Sequence, residues 1–563
     1  MRTRSLRVVG AIGTLLLFGV LGASPVHATT PNVLLVCPTG PNDSPGLTGP
    51  VLTCPAGQYT SIQDAVNHAA AGDWILVAPG DYHEKADTTA GVHITTADIH
   101  LRGMDRNGVV VDGTKSTATT QCSSANADQD TNSGHGRNGI EIFKVDNTSV
   151  DNLTTCNYLT GDKGGGNEIW WNGGDGSGQI GMGAYSGSYI TGTTSYSDPT
   201  YNGSYGIFVS NSKGPGIITY AYASNMSDSG FYVGACPDCN ATLNHVHSEN
   251  NVLGYSGTNA GGHLDILNSE WDLNKSGIVP NSLNNDDAPP PQTGLCPGYT
   301  AVSCTFIEGN LVHDNNNPNT PGAGVAASAP VGTGIELSGA SWNTVDGNTV
   351  YNQKGWGIVT HDYPDTETPP SSGVSSCQGG VSAPGVCTFQ AQGNVISNNL
   401  LHDNGGFGNP SNGDLANESS VSNPRNCFYG NTDPGSGGLT SDPPMIQTVD
   451  GPPCTSPGGG DSTVLLAELV CASGAYAPCP TGITGYPSST GVQLLKLGAQ
   501  TTMPNPCAGV PDNPWCTGGQ LAGPPANIPE VPLLLLLPMS AMGVVLVRRR
   551  RAMGRGAAAA TAA

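Results

Sequence analysis

Glu336, Lys354, His361 and Asp362 are the residues of this chain whose types and spacing best suit acid/base chemistry. In the segment Gly-Ile-Val-Thr-His361-Asp362-Tyr-Pro-Asp365, an imidazole stands beside a carboxylate, Glu336 precedes it, and Lys354 lies between the two in sequence. A histidine titrates near neutrality, so it can take or deliver a proton while a nearby carboxylate orients it or acts as its counterpart. A second group, His263, Asp265 and Lys275, combines an imidazole, a carboxylate and an ammonium, a set suited to hydrogen-bonding a hydroxyl-rich ligand. The surface is unsuited to nucleic acid: 43 acidic side chains against 20 basic ones give a net charge of -23, whereas phosphate binding needs clustered Lys and Arg.

Other motifs explain themselves without chemistry. His245, His247 and Glu249 alternate and so share one strand face, a pattern a metal could use, but His247 reads as the repeat position also held by His313, Tyr351 and His402. No metal is assigned from it. Cys236-Pro-Asp-Cys239 lacks the second cysteine pair of a zinc knuckle and reads as a structural disulfide. Gly176-Ser-Gly178-Gln-Ile-Gly181 matches a dinucleotide-binding pattern, yet no βαβ unit surrounds it.

These side chains need a scaffold, and the chain supplies one by repetition. Gly followed by an apolar residue recurs at Gly206, Gly230, Gly254 and Gly277, spaced by 24, 24 and 23 residues, and again at Gly334 and Gly357. Such a period fits one coil of a β-solenoid, with coils stacked at strand spacing. Counting from each glycine, the first and third residues (Ile207 and Val209, Phe231 and Val233, Ile335 and Leu337) should face the core, and the second and fourth should face solvent. Glu336 and His361 then fall on adjoining strands of one outer sheet. Asn244, Asn310, Asn348 and Asn399 recur later in the coil, where amide side chains can ladder from coil to coil. About a dozen coils are expected between Val92 and Tyr429. Two Pro-rich insertions, ending at Cys304-Thr-Phe306 and Cys387-Thr-Phe389, should project from the same face.

Ahead of the repeat, Ile62, Ala65, Val66 and Ala69 stand at helical spacing with Ser61 as N-cap, and Gly72-Asp73 ends the helix. The opening Ser-Ile-Gln-Asp-Ala-Val, followed by Ala-Gly-Asp-Trp-Ile-Leu-Val-Ala-Pro-Gly-Asp-Tyr82, resembles that of right-handed parallel β-helix proteins of the pectate-lyase-like superfamily. The resemblance implies an all-β solenoid capped by a short helix. It also implies a polysaccharide or cell-envelope glycan as partner, with a lyase or C5-epimerase acting on a uronate-containing glycan as one alternative and a non-catalytic structural or adhesive role as another. Calcium is the cofactor it suggests, because lyases of the pectate type hold it with carboxylates. A hydrolase of the polygalacturonase type fits less well: Gly134-His135-Gly136 lies upstream of the Asp286-Asp287 pair, reversing the order in that family.

The ends speak to location. Arg2, Arg4 and Arg7 precede the apolar stretch 8–21, and residues 1–28 read as a signal peptide. The apolar stretch 531–547 is followed at once by Arg548 to Arg551, so 529–551 reads as a membrane or sorting segment and 552–563 as a cytoplasmic tail. The layout resembles the carboxy-terminal sorting tails of exported bacterial surface proteins. With those arginines set aside, the exported portion is more acidic than the whole chain. It carries all 16 cysteines, an even number that suits disulfides in an oxidising compartment, and close neighbours such as Cys296 and Cys304, Cys377 and Cys387, Cys471 and Cys479, and Cys507 and Cys516 could pair. The body is expected over 59–430, preceded by a segment 29–58 and followed by an irregular Pro/Gly-rich stalk, 431–528, with one possible strand at 491–497. The whole is expected to be a monomer at the cell surface.

Overall fold

The computed structural model describes residues 31–38, 49–50, 52–285, 305–369, 377–421, 424–435, 437–454, 462–474 and 479–521. The strands described below belong to the compact unit Asn32–Ala563. Three long parallel sheets form the body. The first has twelve strands and runs from Val33–Val36 to Cys427–Tyr429, the second has ten and runs from Gly80–Tyr82 to Leu400–His402, and the third has eleven, from Ala90–Ile94 to Ser441–Asp442. Each full coil gives one strand to each sheet, as in Ser229–Gly234, Ala241–Asn244 and His247–Glu249. The expected parallel β-helix is the fold. It begins ahead of residue 59, since Val33–Val36 already pairs in parallel with Trp74–Val77.

The core follows the count from glycine. Ile207, Phe231, Tyr255, Ile278, Ile335, Ile358 and Leu415 stack in register through the third sheet and are all buried. Burying each such side chain contributes roughly 1.5–3 kcal/mol. The recurrent glycine has a steric cause. A Cβ on Gly277 would stand 2.4 Å from the carbonyl oxygen of Gly334, and one on Gly334 would stand 2.6 Å from that of Gly357. The helix Ile62–His68 caps the first coil, with Ser61 Oγ accepting from the Asp64 amide and the Glu84 carboxylate accepting from the amides of Ile62 and Gln63.

The corners are held by amide ladders. Asn310 Nδ2 donates to Asn348 Oδ1, Asn348 Nδ2 to Asn399 Oδ1 and Asn399 Nδ2 to Asn431 Oδ1, at 2.8–2.9 Å, and each oxygen also accepts the backbone N–H of the preceding asparagine. Asn244 is not part of this column. The strand register places His247 opposite Glu270 and Leu311, two residues out of step with His313, Tyr351 and His402, which do share one row. The cause is Ser248, which turns inward opposite Trp271 and donates to the Gly254 carbonyl, so the similar letters of the two coils conceal a shift.

Seven disulfides join described cysteines: Cys37–Cys54, Cys122–Cys156, Cys236–Cys239, Cys377–Cys387, Cys427–Cys454, Cys471–Cys479 and Cys507–Cys516. This many disulfides suit an extracellular protein. Cys296 and Cys304, the Asp286-Asp287 pair, the leader 1–28 and the apolar stretch 531–547 lie outside the described residues. No helix among the described residues is long and apolar enough to cross a membrane.

The segment expected as a stalk folds back instead. The helix Ser462–Ala472 buries Leu465 and Leu469 against Trp356, Val359 and Ala416, on the outer side of the third sheet. The chain then returns toward the first coils. Gln493 O accepts from Asn250, the Leu495 amide donates to Asn225, the Gln500 amide to Asn107, and Arg102 donates to the carbonyls of Pro506 and Ala508. Trp515 Nε1 finally donates to the Thr53 carbonyl. Residues 491–497 form no strand, because their backbone groups bond corner asparagines rather than a neighbouring strand.

Replacing Asn348 with Ala strips partners from the buried groups of Asn310, Asn399 and Ile307 at once. A loss of about 3 kcal/mol is expected on the scale of 1–3 kcal/mol for each buried group left unsatisfied. Urea unfolding measures it, and an unchanged midpoint would mean that water replaces the ladder.

Candidate functional site

The strands Ser276–Asn281, Thr333–Ser338 and Trp356–His361 are consecutive in the third sheet, with Ser338 opposite His361 and Glu336 opposite Val359. That diagonal brings the expected pair together: His361 Nε2 lies 2.9 Å from Glu336 Oε1. The other ring nitrogen, Nδ1, lies 2.8 Å from the Asp362 carbonyl, to which its N–H donates. Both ring nitrogens thus face acceptor oxygens, an arrangement that favours the imidazolium over the neutral ring. Burial disfavours that charge, but the hydrogen bond and charge of Glu336 outweigh burial and hold the His361 pKa above its ordinary value. Glu336 Oε2 is buried and accepts no hydrogen bond from any described residue.

The pair is not on a solvated face. Glu336 is 4% exposed and His361 6%, because the tail helix and the segment 325–330 roof this part of the sheet. What remains is a groove of about 640 Å³. Its floor and sides include Tyr205, Asp228, Thr258, Asn281, Ser338 and Tyr363, and Leu466 and Leu469 of the tail helix form part of the roof. At the end away from His361, Tyr205 Oη and Ser229 Oγ donate to Asp228, whose pKa burial pushes up to about 6.

The remaining expected residues have other work. Asp362 Oδ1 accepts from the Ala391 amide and Ser419 Oγ, and its Oδ2 accepts from the amide and hydroxyl of Ser420. It lines the groove while pinning two loops. Lys354 is exposed and sits before the strand that ends in His361. At about 3.3 Å per residue, that separates them by roughly 20 Å. Lys275 Nζ donates to the carbonyls of Ala327 and Ser473, tying the roof to the sheet, and burial lowers its pKa to about 8. His263 pairs with Asp238 at 2.7 Å beside the first sheet, whose strand Leu264–Leu267 carries Asp265, with a pKa raised by burial. None of Lys354, Lys275, His263 or Asp265 lines the groove.

Calcium does not fit this groove. It requires six to eight oxygens, but Asp362 is saturated by backbone and serine donors and one Glu336 oxygen is bound to His361. Asn281, Ser338, Tyr205 and Asp228 went unnoticed in the sequence. For Asn281 and Ser338 the signal was available in the fourth position after the coil glycine, whereas Tyr205 and Asp228 precede Gly206 and Gly230 and no such count marks them.

No family model matches the chain, and no curated protein is similar to it in sequence. Among solved structures, it is similar to the A-module of the mannuronan C-5 epimerase AlgE4 of Azotobacter vinelandii, with 13% identity, a TM-score of 0.40, and coverage of 66% of this chain and 89% of that one. It is also similar to XylC in complex with xylose, at 10% identity and TM-score 0.40 over 73% and 76% of the two chains. A third likeness is to pectate lyase Pel9A, at 11% identity and TM-score 0.29 over 71% and 75%. These likenesses are of fold and assign no residue a role.

A histidine with a raised folded pKa adds stability that is fully present below about pH 6.5, its unfolded value, and is lost as pH rises through the folded value. The stability difference between the wild type and Glu336→Gln is therefore expected to be largest in mild acid and to shrink toward alkaline pH. Urea unfolding at a series of pH values measures it, and a pH-independent difference would contradict an ionised pair.

Proposed function

We propose that this chain is an exported, cell-surface β-helix protein that binds an extracellular polysaccharide in the groove above the third sheet. The carrying observation is the direction of the groove. The residues of its floor come from, or directly flank, six consecutive strands, from Tyr205–Ser210 to Trp356–His361. At about 4.8 Å between strands, the groove is roughly 20–25 Å long, a shape for an extended polymer. Ser256, Thr258, Asn281 and Ser338 offer hydrogen-bonding groups at successive rungs, and Tyr205 and Tyr363 offer aromatic faces. No Lys or Arg lines it among the described residues. With Asp228, Glu336 and Asp362 in the groove, that balance favours a neutral glycan segment over a polyanion. The apolar stretch 531–547 with Arg548 to Arg551 would hold the protein to the membrane.

The His361–Glu336 pair supports a second reading, in which the groove belongs to a polysaccharide lyase or C5-epimerase. The pair would transfer the proton at the sugar carbon. The missing basic side chain places this reading behind binding alone.

The test uses the purified full chain against a panel of neutral and acidic polysaccharides in affinity electrophoresis. Trp at Thr366 or Ser328, exposed positions lining the groove, is expected to weaken binding about tenfold or more, a change of about 1.4 kcal/mol. Ile217→Trp, on the outer face of the first sheet, should leave binding unchanged. Retention of no polysaccharide, or equal retention by the groove variants, would overturn the proposal. Unsaturated ends or altered C5 configuration, detected by NMR and reduced about 10²-fold or more by His361→Ala, would establish the second reading.

A further inference from the structure

The strongest unassigned cluster lies at the opposite end of the solenoid. Asp81, in the first strand of the second sheet, and His83 beyond that strand line an open groove of about 690 Å³ beneath the capping helix. Asp112, at the end of the next strand, Val109–Asp112, stands behind them. One ligand atom from each of Asp81, His83 and Asp112 lies within 4.8 Å of the others.

Three details distinguish this trio from a chance meeting of polar side chains. His83 Nδ1 lies 2.9 Å from the Thr114 carbonyl, which accepts its N–H. That bond turns Nε2 toward the carboxylates, 3.5 Å from Asp81 Oδ2 and so beyond the usual hydrogen-bond distance, an arrangement typical of a metal-ligating histidine. Asp81 Oδ1 is buried and accepts no hydrogen bond from any described residue. A buried carboxylate oxygen left bare is costly unless something cationic reaches it. Asp112 is held rigid: one oxygen accepts the Thr114 amide at 2.8 Å and the other the Cys122 amide at 2.6 Å, which leaves each a lone pair.

We propose that Asp81, His83 Nε2 and Asp112 bind a divalent transition-metal ion of the zinc class, with its open positions toward the groove. One imidazole and two carboxylates are a donor set that suits zinc or manganese and serves calcium poorly. Three protein ligands with a free position are also the pattern of zinc sites that accept a water or ligand oxygen. Tetrahedral donors about 2.0 Å from zinc lie roughly 3.3 Å apart, so small rotations of Asp81 and His83 close the cluster. The overlapping set Asp112, Cys122 and Cys156 cannot compete, because both cysteines are in a disulfide. The set His247, Glu270 and Asp272 is more open, and His247 Nε2 is already bonded to Asp272 at 2.8 Å.

The full chain, stripped with chelator, is titrated with zinc, manganese and calcium chlorides by calorimetry. One zinc per chain is expected, bound about 100-fold more tightly than calcium, since imidazole favours zinc. Asp81→Asn and His83→Ala should each weaken zinc binding about 50-fold or more, a loss within or beyond the 10–100-fold seen even for residues that only support a ligand. His247→Ala should change nothing. Asp112→Asn would also release the Thr114 and Cys122 amides, so Asp81→Asn carries the decision, with the visible spectrum of cobalt-loaded protein as a second readout. Absence of stoichiometric zinc binding, its survival in Asp81→Asn, or its loss in His247→Ala would overturn the proposal.

Discussion

A solenoid of short strands has to satisfy backbone groups at every corner, where the chain leaves one sheet before joining the next. At those points a buried N–H has no strand opposite it, and an unmet donor in the interior costs more than any single packing contact restores. Here the partner is a side-chain amide from the next coil. The column Asn310, Asn348, Asn399, Asn431 has a parallel in Asn251, Asn274, Asn315, Gln353 and Asn404, where each coil's amide oxygen accepts the backbone N–H of the coil before. A third column joins Asn343, Asn394 and Asn426. Because each amide both donates and accepts, these columns fix the rise between coils, and with it the spacing of everything displayed outside.

This explains which parts of the molecule were readable. Core positions, the capping helix and several cysteine pairings follow from local rules that repeat, and Glu336 and His361 could be paired by counting from Gly334 and Gly357. Lys354 stands apart from the pair because nearness in sequence does not make nearness in space across a strand boundary. His247 lies in a different row from His313 although Asn-x-Val-His recurs as letters, because the inward residue of its strand is Ser248. The roof over the groove was hidden for a different reason. It depends on irregular backbone meeting corner asparagines hundreds of residues earlier, as with Leu495 and Asn225, and no period encodes such a contact.

Burial alters what the outer residues can do. On a bare sheet, Glu336 and His361 would be screened by water and worth little as a pair. Roofed by Leu466 and Leu469, the same two groups interact in a less polar medium, where charge and hydrogen bonding act more strongly. The roof also makes a groove from what would otherwise be a flat face, and Lys275, which joins the segment 325–328 to the end of the tail helix, keeps that roof in place.

The returning tail has a mechanical consequence. Repeat proteins usually interact only with their immediate neighbours, so end coils can fray independently and unfolding can spread one repeat at a time. In this chain, a single covalent run touches the Asn409 turn near the last coils and the Thr53 carbonyl near the first, through bonds such as those of Thr484 and Trp515. Opening either end would first require peeling that lashing from the corner asparagines between. The solenoid is therefore closed against zippering from its ends.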